Sequence, residues 1–279
     1  MATITIRDVS TENLDDLNLC VPLGRRAQPA FVTGMAEKQR WAAEMLNRWG
    51  GCAKLAYADA TPIGLIQYVP IPAYRALFVP CIFVPEQAHW RQGVATRLLR
   101  SLIEHAQEPQ AWFEGRPALL LITKPFPGEL PGQLPARTFF LREGFRDAGG
   151  DILYYPLTAE LPPDRAPGLA AEAAAAFLKG ESAEYIRQED DKGKAVIVYG
   201  PSFCPWSYTF WQLAAKHIEE AAPGLRIRWI NVSAEPQEAQ RRGGFTGCVV
   251  NAVPIKSFAL DKEGFQREVR EALATSPAS

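Results

Sequence analysis

The first half of the chain alternates between stretches with the two-residue period of strands and stretches with helical spacing. TITIRDVS alternates apolar and polar residues like a half-buried strand, and AEKQRWAAEMLNRWGG is a helical run that two glycines end. Three further strands are predicted at AKLAYAD, IGLIQYVPI and ALFVPCIFV, and later elements at ALLLIT, ARTFFLREGFRDAG and DILYYPLT. This order predicts an α/β domain over residues 1–158.

A polar loop joins ALFVPCIFV to an amphipathic helix, in the segment from Val84 to Ala106. Small residues at Gly93 and Ala95 allow a ligand to approach the backbone closely, and the free amides of a first helical turn attract anions. The apolar residues of this helix recur at helical spacing: Leu98, Leu99, Leu102 and Ile103. The pattern predicts a helix that is buried on one side and whose N-terminus is open to a phosphate-bearing cofactor.

This loop resembles the acetyl-CoA pyrophosphate loop of the GNAT N-acetyltransferases, whose pattern is Arg/Gln-x-x-Gly-x-Gly/Ala. Gly93 and Ala95 match the pattern, whereas Trp90 stands at its first position. Downstream, ARTFFLREGF resembles the second cofactor-side motif of that family, a short helix that ends in Gly-Phe. The resemblance covers about residues 1–158. It implies the GNAT fold with its mixed sheet, acetyl-CoA as cofactor, and acetyl transfer to an amine of a small molecule or peptide.

The resemblance also implies which residues would hold acetyl-CoA. Val84 would offer its backbone amide to the thioester carbonyl, and Arg91 could add a charge-assisted contact to phosphate. The pyrophosphate would lie on a run of successive residues: Gln92, Gly93, Val94, Ala95 and Thr96. An ordinary strand–helix turn and a solvated Arg91 are the alternatives.

The acid and base of such a reaction are less clearly marked in this chain. Many members of the family place a Tyr four residues before the Gly of Gly-Phe, and here that position is Phe140. His89 has a side chain of suitable intrinsic pKa for a base, and Glu86 lies in the same loop. Tyr74 could line the acceptor pocket, and Cys81 could face substrate. Each has a plainer alternative. His89 could contact phosphate or solvent, and Glu86 could be a solvated carboxylate. Tyr74 could cap the sheet, and Cys81 could be a core residue.

The composition changes after residue 158. Residues 159–193 begin with a Pro-rich stretch, contain the alanine-rich segment AAEAAAAFLKG, and carry 4 basic and 8 acidic residues. The flanking segments are nearly neutral, with 16 basic and 15 acidic residues in 1–158 and 10 and 8 in 194–279. This pattern predicts a solvated acidic linker with a short helix at 159–193, between two domains.

Residues 194–279 predict a second, smaller α/β domain with the order β-α-β-α-β-β-α. The order resembles the thioredoxin fold, and Cys204-Pro205-Trp206-Ser207 resembles the single-thiol glutaredoxin variant of that fold's motif. Pro254 is expected to open the third strand, where the family usually places a cis-proline that faces the cysteine. A GNAT domain followed by a thioredoxin-like domain resembles the YoaP-type acetyltransferases of bacteria.

Cys204 would be a thiolate that the amides of a helix N-terminus stabilise, or else an inert cysteine left in an ancestral redox fold. Ser207 stands where a second cysteine would be, which argues against dithiol chemistry, although Cys248 could approach Cys204. Two functions follow, and a third interpretation makes the C-terminal domain a non-catalytic interaction module. The first is an N-acetyltransferase whose C-terminal domain helps to recognise the acceptor. The alternative is a thiol-based redox or sensor protein that uses Cys204 and keeps the GNAT half as a CoA-binding regulatory domain.

Composition sets the remaining limits. The net charge is −1, so there is no electrostatic case for nucleic acid or an anionic membrane surface. The 5 cysteines are scattered, without CxxC and without a His at metal-ligand spacing, so neither a zinc site nor a disulfide framework is indicated. Without a signal peptide or a long apolar run, the chain is expected to be a cytoplasmic protein with reduced thiols.

Overall fold

The structure is a computed structural model that describes residues 3–126, 132–181 and 183–274. Its contacts divide the chain into two compact units. The first consists of Met1–Pro22 and Ala42–Leu178, and the second of Leu23–Trp41 and Lys179–Ser279. Helix α1 (Pro29–Trp49) therefore contributes its first part, up to Trp41, to the second unit.

The first unit is built on a mixed sheet of seven strands with the spatial order β1-β2-β3-β4-β5-β7-β6. Strands β4 and β5 pair in parallel, and the other neighbours pair antiparallel. The strands are β1 (Ile4–Asp8), β2 (Ala53–Ala58), β3 (Thr61–Ile71), β4 (Ala76–Phe83), β5 (Leu120–Thr123), β6 (Arg146–Gly149) and β7 (Ile152–Pro156). The helices of this unit are α2 (Val94–Gln107), α3 (Ala136–Arg142) and α4 (Ala166–Glu181). The mixed α/β class is confirmed. The predicted elements occur in the predicted order, and the structure adds β6, which the sequence analysis did not separate from the segment ARTFFLREGFRDAG.

Helices cover both faces of this sheet. On one face the apolar stripe of α2, with Leu98, Leu99 and Leu102, packs on Leu77 and Leu121. On the other face the small residues of α4 pack on the alternate side chains of the same strands: Ala76, Phe78, Leu120 and Ile122. The two-residue period of the strands therefore distributes their side chains between two cores.

Helix α4 lies within the segment that the sequence predicted to be a solvated linker. Ala170 and Ala173 are buried, and Phe177 stacks on Phe78 with ring centroids 4.2 Å apart. The contacts place the division of the chain at 178/179, whereas the sequence analysis placed the end of the first domain at 158. The difference arises because alanines provide a flat helix surface that packs closely on a sheet, although their composition alone resembles that of a spacer.

The second unit contains a four-stranded sheet with the spatial order β11-β10-β8-β9. Strands β8 and β9 are parallel, and the remaining pairs are antiparallel. In chain order the elements are β8 (Ala195–Tyr199), α5 (Ser207–Ala221), β9 (Ile227–Asn231), α6 (Pro236–Arg241), β10 (Gly247–Val250), β11 (Val253–Ile255) and α7 (Lys262–Ala274). The predicted order β-α-β-α-β-β-α is the observed one.

An ionic network fixes the end of the predicted linker to this second unit. Asp191 and Arg242 are both 0% exposed, and the guanidinium of Arg242 donates to the two carboxylate oxygens at 2.8 and 2.6 Å. Glu238 accepts from the same guanidinium at 2.9 Å, and the Tyr185 hydroxyl donates to Asp191 at 2.9 Å. Asp191 is thus a buried ion-pair partner rather than part of a solvated acidic run, since its basic partner lies 51 residues further along the chain.

Pro254 occupies a different position from the one predicted. The third strand of the unit is β10, and Pro254 lies in the middle of the fourth strand, β11, opposite Val249. All peptide bonds of the described residues are trans, including the one before Pro254. Because the turn between the two strands spans only Asn251 and Ala252, both with positive φ, the hairpin is tighter than the sequence suggested.

Candidate active site

Strands β4 and β5 pair over a short stretch and then separate. The parallel ladder joins Ala76–Phe78 to Leu120–Ile122. Beyond it the register between β3 and β4 shifts, from Val69 opposite Phe78 to Gln67 opposite Cys81, so β4 contains a bulge. The Thr123 hydroxyl donates to the Val79 carbonyl at 2.8 Å, at the point where the strands diverge. The bulge therefore opens a gap in the sheet beside the last residues of β4.

The loop after β4 is held by a tryptophan and shaped by two residues with positive φ. The indole Nε1–H of Trp90 donates to the Val84 carbonyl at 2.9 Å. Arg91 has φ 59°, and Gly93, the residue that precedes α2, has φ 74°. The left-handed conformation is costly for most residues and free of cost for glycine, which explains Gly93 in this position. These features set the direction in which α2 starts.

The first turn of α2 has backbone donors that no carbonyl of the helix can satisfy. The first helical bond runs from the Arg97 amide to the Gly93 carbonyl at 2.9 Å, so the amides of Val94, Ala95 and Thr96 precede the hydrogen-bonded ladder. A Cβ built on Gly93 would have no described residue within 4 Å. The helix start is therefore accessible, and its donors and dipole favour an anion.

Two side chains of the predicted anion site have protein partners of their own. The Thr96 hydroxyl donates to Glu143 Oε1 at 2.6 Å, which ties the start of α2 to the end of α3. The Gln92 side-chain amide donates to the Ala88 carbonyl at 2.5 Å, within the loop. These two residues therefore offer a ligand their backbone groups. Arg91, between the loop and the helix start, is exposed.

The predicted catalytic residues do not all lie together. Glu86 and His89 lie in the loop between β4 and α2, where Glu86 is exposed and His89 half-buried. Cys81 is half-buried in β4, and strand alternation places it on the face opposite Ile82, which packs in the α2 core. Tyr74 precedes β4 and packs in the α4 core. It is thus at the other end of the strand from the loop, roughly 25 Å away for a strand of this length.

Phe140 is a core residue. It is 2% exposed and packs against Phe139 and Phe145 with ring centroids 5.3 and 4.9 Å apart. Its ring stabilises the turn after α3, in which the Phe145 amide donates to the Phe140 carbonyl at 3.0 Å. A proton-donating group at this position is therefore absent, as the sequence predicted.

The sequence analysis missed three residues that shape this site: Gly64, Trp90 as a donor, and Thr123. A Cβ on Gly64 would lie 3.0 Å from Val94 Cγ1 and 3.3 Å from Val84 Cγ2, so this glycine lets α2 begin close to β3. Gly64 and Thr123 act through partners on other elements, whereas Trp90 bonds to Val84 within its own loop. A glycine inside the apolar strand IGLIQYVPI was the available signal for the first of them.

Cys204 lies in the second unit, in the loop that joins β8 to α5. Its backbone amide donates to Ser202 Oγ at 3.2 Å, and its carbonyl accepts from the Ser207 amide at 3.1 Å. The hydroxyls of Ser202 and Ser207 are 2.7 Å apart. Cys204 therefore precedes the helix by a turn that local hydrogen bonds fix, and its side chain is half-buried.

The structure gives Cys248 a different environment. It lies in β10 opposite Ile197, is 3% exposed, and packs in the apolar core between the sheet and helices α5 and α7. Burial raises the pKa of the Cys248 thiol to about 12. A buried thiol with so high a pKa is a poor nucleophile at neutral pH, so the resolving role considered for Cys248 loses its support.

Residues 22–118 match the acetyltransferase (GNAT) family. The matched segment contains α1, the three strands β2–β4, the loop and α2. It thus contains the bulge, the left-handed Gly93 and the open helix start. No curated protein matches the chain.

Several solved structures are similar to part of the chain. The PaiA N-acetyltransferase of Thermoplasma acidophilum, in complex with coenzyme A, is 16% identical, with 55% of this chain and 99% of that chain covered and a TM-score of 0.40. A GNAT family acetyltransferase of Brucella melitensis in complex with acetyl-CoA is 14% identical, with 58% and 93% covered and a TM-score of 0.38. Ard1 of Thermoplasma volcanium is 12% identical, with 56% and 98% covered and a TM-score of 0.39.

Among the helices of the described residues, none is both long and apolar enough to cross a membrane. Within the same residues, no cluster of His, Cys, Asp or Glu has the arrangement of a metal site. All five cysteines are outside disulfides.

Proposed function

We propose that this chain is an acetyl-CoA-dependent N-acetyltransferase that acetylates an amine of a small molecule or peptide. The proposal rests on two features that lie in the same segment of the chain, the family match and the open helix start. The segment that matches the acetyltransferase family, 22–118, contains the open start of α2 directly after the bulged end of β4. An anion site beside a gap in a sheet suits a ligand with a pyrophosphate at one end and a peptide-like arm at the other.

The residues fit such a ligand in two places. The amides of Val94, Ala95 and Thr96 would hold the pyrophosphate, and the open space at Gly93 leaves room for its oxygens. The pantetheine arm contains two amide groups, and the backbone of β4 beyond the Ala76–Phe78 ladder can pair with them as with an added strand. When bound, acetyl-CoA supplies an activated acetyl thioester.

Val84 and Trp90 would position the reacting end. Val84 follows β4 directly, and its carbonyl accepts the indole hydrogen bond of Trp90. This bond orients the peptide group between Val84 and Pro85 and so restricts the backbone at Val84, whose amide lies one peptide group earlier. We infer that the Val84 amide faces the thioester carbonyl. A fixed donor of this kind contributes by orienting the thioester and by stabilising negative charge that develops on its oxygen.

His89 and Glu86 are the proposed proton-handling groups, because they lie in the same loop as the anion site. An attacking amine must lose a proton, and an imidazole is suited to accept it near neutral pH. We expect His89→Gln to lower kcat/KM by about 100-fold with little change in CoA affinity. A loss of less than threefold would remove His89 from the mechanism and leave Glu86 or water in this role.

We propose that the second unit is a thioredoxin-like domain that helps to recognise the acceptor. The order β-α-β-α-β-β-α, the sheet order β11-β10-β8-β9 and the position of Cys204 before α5 support this reading. The alternative function is a thiol-based sensor that uses Cys204, with the GNAT half as a regulatory CoA binder. The burial of Cys248 argues against a dithiol version of that alternative.

The experiment that tests the proposed function is the release of free CoA from acetyl-CoA with a panel of amines. The panel contains polyamines, amino acids, aminoglycosides and peptides with a free N-terminus, and calorimetry measures CoA binding on the same protein. Turnover with at least one amine supports the proposal. Tight CoA binding without any amine-dependent release would favour the regulatory alternative, and absent CoA binding would contradict both functions.

A further inference from the structure

A small cavity in the second unit is lined by Cys204 and by a buried carboxylate from α1. The wall also includes Gly34, Tyr199, Tyr208 and Trp211. All of its lining residues belong to Leu23–Trp41 or to the segment after residue 178, so the cavity lies within one compact unit. Its volume is about 10 Å³, which is close to the space that one water molecule occupies.

Glu37 contributes an incompletely satisfied carboxylate to this cavity. The residue is 4% exposed. Its Oε1 atom accepts from Arg40 Nη1 at 2.6 Å and from Asn231 Nδ2 at 3.0 Å. Its Oε2 atom is buried and accepts no hydrogen bond from the described residues. A buried carboxylate oxygen without a donor is costly, so the site is favourable for a ligand that brings a donor.

Close helix packing holds Glu37 at this place. A Cβ built on Gly34 would lie 2.0 Å from the Pro205 carbonyl oxygen, so α1 contacts the Cys204 loop as closely as a glycine permits. Phe31 packs edge-on against Trp206 with ring centroids 4.7 Å apart. Since Gly34 and Glu37 are on the same helix one turn apart, this contact fixes the carboxylate beside the loop that carries Cys204.

We propose that this cavity binds the ammonium group of a small primary amine, with Glu37 Oε2 as its acceptor and the Cys204 thiol beside it. An ammonium group is about as large as the water-sized space, and it offers three donors to a carboxylate that has one oxygen to satisfy. The rings of Tyr208 and Trp211 line the same cavity and favour a cation over a neutral group. Arg40 is 43% exposed on its side chain and binds the other oxygen, so solvent screens its repulsion of the ligand.

Amine binding at this cavity is independent of acetyl transfer, and no acetylation is measured in the test. The probe is cystamine, a disulfide with an ammonium group at each end, and the matched neutral probe is 2-hydroxyethyl disulfide. In thiol–disulfide exchange the Cys204 thiolate attacks one sulfur of the probe, a new S–S bond forms, the probe's S–S bond breaks, and the departing thiolate takes up a proton. The full-length protein is treated with each probe at neutral pH, and mass spectrometry of peptides follows the mixed disulfide at every cysteine.

We expect cystamine to modify Cys204 at least about tenfold faster than the neutral probe, and Glu37→Gln to remove most of this preference. Cys81 is the internal control, because it is also half-buried and lies in the other unit. The ratio of its modification rates by cystamine and by the neutral probe should be small, and Glu37→Gln should not change it. Equal rates of the two probes at Cys204, or a preference that persists in Glu37→Gln, would overturn the proposal.

A second measurement uses the wild-type protein alone and so does not depend on the folding of a variant. Ethylamine should slow the alkylation of Cys204 by iodoacetamide at concentrations where ethanol does not. Protection by ethylamine and none by ethanol supports the site. Equal effects of the two compounds would contradict it, since a water-sized cavity without preference for a cation would accept either.

Discussion

Two connections, β4 to α2 and β8 to α5, both lead from a strand through a loop into a helix, and they have different surroundings. At the start of α2, no described residue lies within 4 Å of a Cβ on Gly93. At the start of α5, helix α1 presses on the loop, with the Cβ position of Gly34 2.0 Å from the Pro205 carbonyl oxygen. The comparison shows that a local pattern can set a helix start, whereas a distant segment decides whether a ligand can reach it.

The backbone donors at the two helix starts differ as well. Before α2, the amides of residues 94–96 precede the first helical bond. Before α5, the Ser207 amide donates to the Cys204 carbonyl at 3.1 Å, and the Thr209 amide to the Trp206 carbonyl at 3.0 Å. The start of α5 therefore keeps fewer donors for an anion, and a buried carboxylate from α1 lies in its cavity instead.

The largest expected effect is on the proposed phosphate site at the open start of α2. Gly93→Asp places a carboxylate at the proposed phosphate position, and Asp tolerates positive φ and stabilises a helix start, so the fold should be retained. Two like charges about 4 Å apart repel by about 1 to 4 kcal/mol, depending on the local dielectric. We expect CoA binding to weaken by about 100-fold in calorimetry, and less so at high salt.

Gly93→Asn is the matched control for this prediction. Asn has the shape of Asp, also tolerates positive φ, and carries no charge. We expect it to bind CoA within about tenfold of the wild type. Equal affinity of the Asp variant and the wild type would remove the anion site from α2, and equal weakening by Asp and Asn would show that charge is not the reason.

How much of this structure can be predicted from the sequence depends on how far apart along the chain the interacting residues lie. The order of strands and helices, the glycine before α2 and the absence of an acid at Phe140 were all readable from neighbouring residues. The burial of α4 and of Asp191 was not, because each depends on partners far along the chain. Solvated and buried segments of the same composition cannot be distinguished before those partners are known.

The candidate sites show the same limit. The loop around Gly93 is formed by neighbouring residues, which the sequence analysis named. Tyr74 lies in the turn between β3 and β4, so the whole length of β4 separates it from that loop. Glu37 was not singled out at all. It reaches the Cys204 loop from a helix that precedes it by more than 150 residues, and nothing in either segment indicates the other.

The cavity beside Cys204 is tested by Gly34→Ala. The added methyl group cannot fit 2.0 Å from a backbone oxygen, so α1 or the loop must move. Overpacking of this kind costs about 1 to 3 kcal/mol, which exceeds the gain in helix propensity of about 1 kcal/mol. We expect a lower free energy of unfolding in urea and a loss of the cystamine preference at Cys204. Gly168→Ala, in α4 and without a contact within 4 Å, is the matched control and should be neutral or stabilising.

A smaller effect is expected from Trp90→Phe. The change keeps an aromatic ring and removes the indole donor that holds the Val84 carbonyl at 2.9 Å. A hydrogen bond of this kind contributes about 0.5 to 1.5 kcal/mol, so CoA should bind about 3- to 10-fold more weakly. Trp112→Phe is the control, because the Trp112 Nε1 atom is buried and has no acceptor among the described residues. If both variants bind CoA alike, the loop does not depend on the Trp90 hydrogen bond.

The two units also differ in the ion pairs of their interiors. The stability that the ionic network of the second unit contributes should therefore depend on pH. In the first unit the buried cations Lys54 and Arg75 pair with exposed carboxylates. The second unit contains the ionic network of Asp191, Glu238 and Arg242, in which both Asp191 and Arg242 are buried. The hydrogen bond from Arg242, with further help from Arg241 and Arg228, lowers the pKa of Glu238 from 4.5 to about 2. A carboxylate with a lowered pKa in the folded state stabilises the fold above its unfolded pKa and loses this contribution as the pH falls.

The smallest expected effect is therefore the loss of this contribution between about pH 4.5 and pH 2, which Glu238→Gln should reveal. The side chain is 23% exposed, so we expect the variant to be about 1 kcal/mol less stable at pH 6. As the pH falls toward 3, Glu238 is protonated in the unfolded wild type while the folded state still keeps most of its charge, so the difference between the two proteins should shrink. Urea unfolding of both proteins at pH 6 and pH 3 measures the change, and the other carboxylates cancel because both proteins contain them. A difference that stays constant over this range would mean that Glu238 acts through packing and not through its charge, and the ionic contrast between the two units would then rest on Asp191 alone.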